Sequence, residues 1–210
     1  MLTGYRTIAR NGEHEIEIRR SRFRCLLSRV DDEDAARAVI AARRKEHWNA
    51  THNCTAYVLG AASDKQKSSD DGEPAGTAGV PMLEVLRRRE LSDVVAVVTR
   101  WFGGVQLGAG GLIRAYGQAV AETIDLFGTV ELRPCRLVTV AVDFPQAGRI
   151  EHALRDSAYP VLAADYTDRA RFEVAVAEEA LPEFTEWAVT ISNGAAELVH
   201  GELTYVEGRQ

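Results

Sequence analysis

Apolar positions recur in this chain with two periods, and the switches between them outline its elements. Glu15-Ile16-Glu17-Ile18 alternate, and Phe23, Cys25 and Leu27 alternate again, which predicts two strands of a meander. From Asp31 to His47 the period lengthens. Ala35, Ala38, Val39 and Ala42 form a stripe at helical spacing, with acidic residues crowding the first turn and Arg43, Arg44 and Lys45 the last, as the helix dipole favours. Thr55–Leu59 predicts a strand, Ala61–Lys67 a polar loop, and Pro81 the start of a short helix ending at Arg87-Arg88-Arg89. Val94-Val95-Ala96-Val97-Val98 has no alternation at all, the pattern of a strand buried on both faces. Leu112, Ala115, Tyr116, Ala119, Val120 and Thr123 predict a helix over 111–127 with Gly128 as its C-cap.

After a short strand at Thr129–Glu131, Arg133-Pro134 predicts a linker, and the pattern changes. A strand at 137–142, a helix at 146–157, strands near 161–166 and 171–177, a helix at 181–191 and a strand at 196–206 give the order β-α-β-β-α-β. This predicts an α+β chain of two domains, 1–134 and 135–210, the second ferredoxin-like.

Charge sharpens that division. The net charge of −6 is unevenly spread: residues 1–134 hold 19 basic and 18 acidic side chains, residues 135–210 hold 6 and 13. The acidic second half is excluded as a general phosphate-backbone binder, so any nucleic-acid contact belongs to local patches of the first. Arg19, Arg20, Arg22 and Arg24 form one basic cluster, readable as a protected edge strand or as part of a binding face. Cys25, Cys54 and Cys135 are three in number, far apart and without metal-ligand spacing, which suits reduced thiols of a cytoplasmic protein. No apolar stretch approaches a membrane span, so no membrane partner is expected.

The candidate chemistry lies between Ser69 and Gly117, where two glycine-rich loops flank the apolar run. The first loop carries Asp70, Asp71, Gly72 and Glu73. Three carboxylates in four residues could hold Mg²⁺ or could cap turns and pair with arginines, and the structural role is favoured because metal hydrolases usually assemble carboxylates from several elements. The second loop holds Gly103, Gly104, Gly108, Gly110 and Gly111 and runs into a helix. Free amides at a helix start, with Arg100 before the loop and Arg114 after it, form a candidate anion or nucleic-acid site. The alternative is that these arginines tie the loops together by pairing with Asp70, Asp71 or Glu73. The loop matches no nucleotide-binding signature, and no cofactor is called for. His52 and Cys54 lie on one strand face without an orienting third group, which favours a structural pair.

The segments Ser69–Gly79 with Pro81, Arg100-Trp101-Phe102-Gly103-Gly104 and Leu107–Tyr116 resemble the motifs of the YigZ/IMPACT family, and Ala50-Thr51-His52 to Tyr57 resembles an upstream motif of the same family. The resemblance covers nearly the whole chain. It marks His52, Tyr57 and Tyr116 as family-motif positions, and Gln106 as a departure where many relatives carry a basic residue. It implies an N-terminal domain like the second domain of the fifth small-subunit ribosomal protein, and a C-terminal domain like those of translation elongation factor G. Eukaryotic relatives regulate translation through a stress-kinase pathway, using a recognition domain that this sequence lacks. The expectation is therefore a non-enzymatic cytoplasmic protein that regulates translation by binding RNA, the ribosome or a translation factor. The alternatives are a metal-dependent phosphoester or nucleotide hydrolase using Asp70, Asp71 and Glu73, and a purely protein-binding regulator.

Overall fold

The computed structural model describes residues 3–207. The chain divides into two compact units, Tyr5–Glu131 and a second that takes Leu132 onward. Together their described residues form two sheets and five α-helices, and no helix among them is long and apolar enough to cross a membrane.

The first unit runs β1 (Tyr5–Ile8), β2 (Gly12–Ile18), β3 (Ser21–Arg29), α1 (Glu33–Glu46), β4 (His52–Leu59), β5 (Lys65–Ser69), α2 (Gly79–Arg88), β6 (Val94–Trp101) and α3 (Ala109–Phe127). Its sheet has the order β2-β3-β6-β4-β5, antiparallel throughout. The unbroken apolar run of β6 has a direct cause. Val94, Ala96 and Val98 join Phe23, Cys25, Cys54 and Ala56 in a core with Met82, Leu86, Tyr116 and Val120 of α2 and α3. Val95 and Val97 point the other way, into a smaller core with Tyr57, Leu59 and Ala36 of α1. A central strand covered on both faces has no position left for a polar residue. The carboxylate of Asp32 caps α1 by accepting from the Ala35 amide at 2.7 Å.

Four expectations need correction. The polar stretch 61–67 is not all loop: Lys65–Ser69 form β5, paired only with β4 at the sheet edge, where exposure on both faces erases the alternation that marks a strand. Helix α2 starts at Gly79, two residues before Pro81, and α3 at Ala109, two before the expected start. Arg133-Pro134 is not a linker but lies inside β7 (Thr129–Val142). The proline stands one residue before the pairing of this strand with Ala170–Ala177, which begins at Cys135.

The second unit continues from β7 through α4 (Phe144–Arg155), β8 (Val161–Tyr166), β9 (Ala170–Ala177), α5 (Leu181–Ser192) and β10 (Glu197–Glu207). Its strands lie in the order β10-β7-β9-β8, all antiparallel. Val138, Val140 and Val142 of β7 and Phe172, Val174 and Val176 of β9 face Ile150 and Leu154 of α4 and Phe184 and Ala188 of α5.

Candidate functional site

The first glycine loop is built around Asp70. Its carboxylate accepts from the amides of Gly76 at 2.8 Å, Ala78 at 3.0 Å and Gly79 at 2.8 Å. The residue at the N-cap of α2, Ala78, supplies no side-chain cap, so Asp70 does this from a distance and sets a negative charge at the positive helix end. Burial works to raise the Asp70 carboxyl, but the three amide hydrogen bonds outweigh it and hold it below its ordinary value. Gly79 has no room for a side chain, since a Cβ there would stand 2.7 Å from the backbone nitrogen of Ser69.

Asp71 fastens the loop to its surroundings. One carboxylate oxygen pairs with Arg44 of α1 at 2.7 Å, and the other accepts from the Asn53 amide of β4 at 2.7 Å. Its backbone oxygen lies 2.8 Å from His52 Nδ1. A carbonyl only accepts, so Nδ1 carries the proton and Nε2 is left for other partners. Asp71 and Gly72 both have positive φ, 45° and 88°, which reverses the chain and turns Glu73 inward.

Glu73 is the one carboxylate of the three that enters the interior. Its Oε1 accepts from Arg100 Nη1 at 2.6 Å and from the Tyr116 hydroxyl at 2.7 Å, while Oε2 lies 3.8 Å from His52 Nε2. The Glu73 and Arg100 side chains are 3% and 6% exposed. Arg100 also reaches Ser21 Oγ at 3.4 Å and lies over the rings of Phe23 and Phe102, but its buried Nε has no partner. Cys54 Sγ completes the cluster, 3.3 Å from the Tyr116 oxygen. Burial pushes the Cys54 thiol up to about 12 and also raises the Tyr116 phenol, so both keep their protons. Tyr57, the remaining motif residue, is elsewhere: it lies in the core under α1 and donates to Glu33 at 2.8 Å.

Asp70, Asp71 and Glu73 thus serve amides, Arg44 and Arg100 respectively, and do not converge. Among the described residues no three His, Cys, Asp or Glu side chains are gathered as metal ligands. Above the Glu73–Arg100 pair opens a cleft of about 380 Å³, lined by His52, Pro74, Phe102, Gln106, Leu107 and the start of α3, among others.

The second glycine loop packs on the β2–β3 hairpin. Gly103 donates its N–H to Ser21 Oγ at 3.2 Å, and a Cβ there would overlap the carbonyl of Arg20. Gly104 and Gly108 have positive φ. Helix α3 has no side-chain cap, and its first backbone bond runs from Leu112 N–H to Gly108 C=O at 2.9 Å. The amides of Ala109, Gly110 and Gly111 therefore have no helical acceptor. Arg114, exposed one turn on, does not meet Arg100. It lines a separate shallow pocket with Ile18, Arg19, Leu107, Gly111 and Gln118.

The hairpin holds residues whose role the sequence reading did not separate. Ile18 pairs with Ser21, so Arg19 and Arg20 form a two-residue turn, with φ of 49° and 67°. That geometry is filled most cheaply by Asn-Gly, and two arginines in it are strained. Arg22 and Arg24, by contrast, are committed to Glu15 at 2.9 and 2.8 Å and stack on Trp101. One run of basic residues is thus two groups. The only signal of this in the sequence is the length of the turn between two alternating runs.

Comparison with known proteins places both units. The model of the Impact N-terminal domain matches residues 19–124, and that of a Domain of unknown function (DUF1949) matches residues 140–195. The chain is 50% identical over 207 residues to the IMPACT family member YvyE of Bacillus subtilis (strain 168), covering 99% of this chain and 95% of that one. It is 37% identical over 185 residues to the IMPACT family member YigZ of Escherichia coli (strain K12), covering 87% and 91%. A solved structure titled "Crystal structure of an hypothetical protein" superposes with a TM-score of 0.64 at 34% identity, covering 96% of this chain and 99% of that one.

Proposed function

The chain belongs to the IMPACT family, and on that premise we propose that it is a non-enzymatic cytoplasmic protein that acts on translation by binding RNA through its first unit. One observation carries the reading. Arg19 and Arg114 line one pocket beside the uncapped start of α3, Arg20 packs against the same glycine loop, and none of the three has an ion pair among the described residues. Their neighbours Arg22, Arg24 and Arg100 are all neutralised by Glu15 or Glu73. Cations left open at a strained turn, next to outward amides, suit a phosphate chain. Phe102, 49% exposed, adds a ring on which a base can stack.

The proposal extends to architecture. Residues 1–134 and 135–210 are taken as separately folding domains, the first like the second domain of the fifth small-subunit ribosomal protein and the second ferredoxin-like, resembling a domain of elongation factor G. The strand order β10-β7-β9-β8 with both helices feeding one core supports the second assignment.

The test is the affinity of the full chain for single-stranded RNA across a salt series. Three neutralised phosphates correspond to a slope of log K against log salt of about −2, and each arginine removed makes it shallower by about 0.7. Arg114→Ala is expected to weaken binding by about tenfold. No binding at low salt, or a slope unchanged in an Arg19→Ala/Arg114→Ala variant, refutes the reading.

A further inference from the structure

The arginine patch leaves unexplained the cleft on the other side of Leu107, which lines both cavities. At about 380 Å³ it lies within the range of small-molecule sites, about 300–1,000 Å³. Its polar groups are few and of defined character. Glu73 Oε1 is occupied twice, by Arg100 and Tyr116, and Oε2 faces only His52 Nε2, at a distance too long for a hydrogen bond. With Nδ1 held as a donor by the Asp71 carbonyl, an uncharged His52 ring presents Nε2 as an acceptor. The inner end of the cleft thus offers two acceptors, while Arg100 Nε, a donor without a partner, is itself shut off from solvent. The outer end offers the Ala109 amide at the α3 start, and between them lie the exposed ring of Phe102 and the side chains of Pro74, Leu107 and Leu112. A ligand that satisfies all of this is flat, carries N–H donors on one edge, and has an anionic group at the opposite end.

We propose that this cleft binds a single nucleoside monophosphate unit, its base stacked on Phe102 with the hydrogen-bonding edge toward Glu73 and His52, and its phosphate on the amides that open α3. The inference deepens the RNA-binding reading and rests on it for the source of the nucleotide. The strand would follow Arg19, Arg20 and Arg114, and one unstacked base would enter the cleft. The start of α3 lies between the two cavities and serves both.

The probes are AMP, GMP, CMP and UMP, titrated into the ¹⁵N-labelled full chain up to millimolar concentration. The expected result is saturable shifts of the Ala109, Gly110 and Gly111 amides and of residues around Phe102, larger for at least one base than for inorganic phosphate. Phe102→Ala removes an exposed ring and leaves the core untouched, and it is expected to weaken mononucleotide binding by about fivefold to a hundredfold. Gln106→Ala serves as a second lining variant if Phe102→Ala disturbs the loop. RNA binding with no response to any mononucleotide overturns the cleft assignment and leaves the RNA reading standing. Mononucleotide binding that depends on Phe102, without RNA binding, supports the cleft and removes the RNA reading. Equal shifts from inorganic phosphate and all four nucleotides, unchanged in Phe102→Ala, also overturn the proposal, because the base would then have no site.

Discussion

Removing the Glu73 carboxylate tests the account of the site most severely. Glu73→Ala deletes the one charge opposite Arg100, which stays 5% exposed with Nε already unpartnered and only Ser21 at 3.4 Å for Nη2. It also deletes the acceptor of the fully buried Tyr116 hydroxyl. Breaking a buried pair from one side costs about 3–5 kcal/mol, because a charge is left without compensation. The stranded hydroxyl alone accounts for about 1–3 kcal/mol in such a setting. A loss of about 3–5 kcal/mol lowers the melting temperature of a unit this size by about 10–20 °C. Replacing both partners with apolar residues, Glu73→Leu with Arg100→Met, is expected to cost less than Glu73→Ala alone, since no charge is then stranded. Urea unfolding followed by tryptophan fluorescence in a Trp187→Phe background measures this, because the remaining tryptophans, Trp48 and Trp101, both lie in the first unit. If Glu73→Ala unfolds within about 1 kcal/mol of its parent, Arg100 has found another partner or water, and the cluster is not the closed network described.

Three further outcomes follow from other parts of the first unit. Gly103→Ala places a Cβ on the Arg20 carbonyl and should displace the Arg19-Arg20 turn, so RNA affinity should fall more than stability does; equal affinity at full stability would show that the turn takes no part. The Arg22 hydrogen bond leads the interactions that hold the Glu15 carboxyl down to about 2, so its contribution is present above pH ~4.3 and is lost as the pH falls toward 2. The pair is partly exposed, so Glu15→Gln should flatten this acid dependence by no more than about 1 kcal/mol, and a pH profile of unfolding identical to the parent's refutes it. Burial pushes the Cys25 and Cys54 thiols up to about 12, so neither should react with iodoacetamide at pH 8 until urea unfolds the chain; mass spectrometry that finds native Cys54 labelled would place it in an open, reactive setting.

Most elements could be read from the sequence because their signals are local. Helix α1 carries its own cap and dipole-matched ends within a few residues of chain, and the alternation of Phe23, Cys25 and Leu27 follows from one buried face. Strand β5 has no such signal: Lys65–Ser69 is exposed and is a strand only because the edge of β4 is beside it. The same division holds for the site. Its residue types and loops stand out in the sequence as a density of glycine and charge. Which charges are spent does not, since Asp70, Asp71 and Glu73 are consecutive or nearly so and yet meet a helix start, Arg44 and Arg100 through different backbone directions. Arg100 and Arg114 look equivalent along the chain, but one ends a central strand, where burial demands a counter-charge, and the other lies on an exposed helix face, where water suffices. The sequence alone determined most of the elements and the segment that holds the chemistry, because those depend on short-range periodicity. The tertiary structure decided which side chains are neutralised and which stay open, because that depends on burial and on partners tens of residues away.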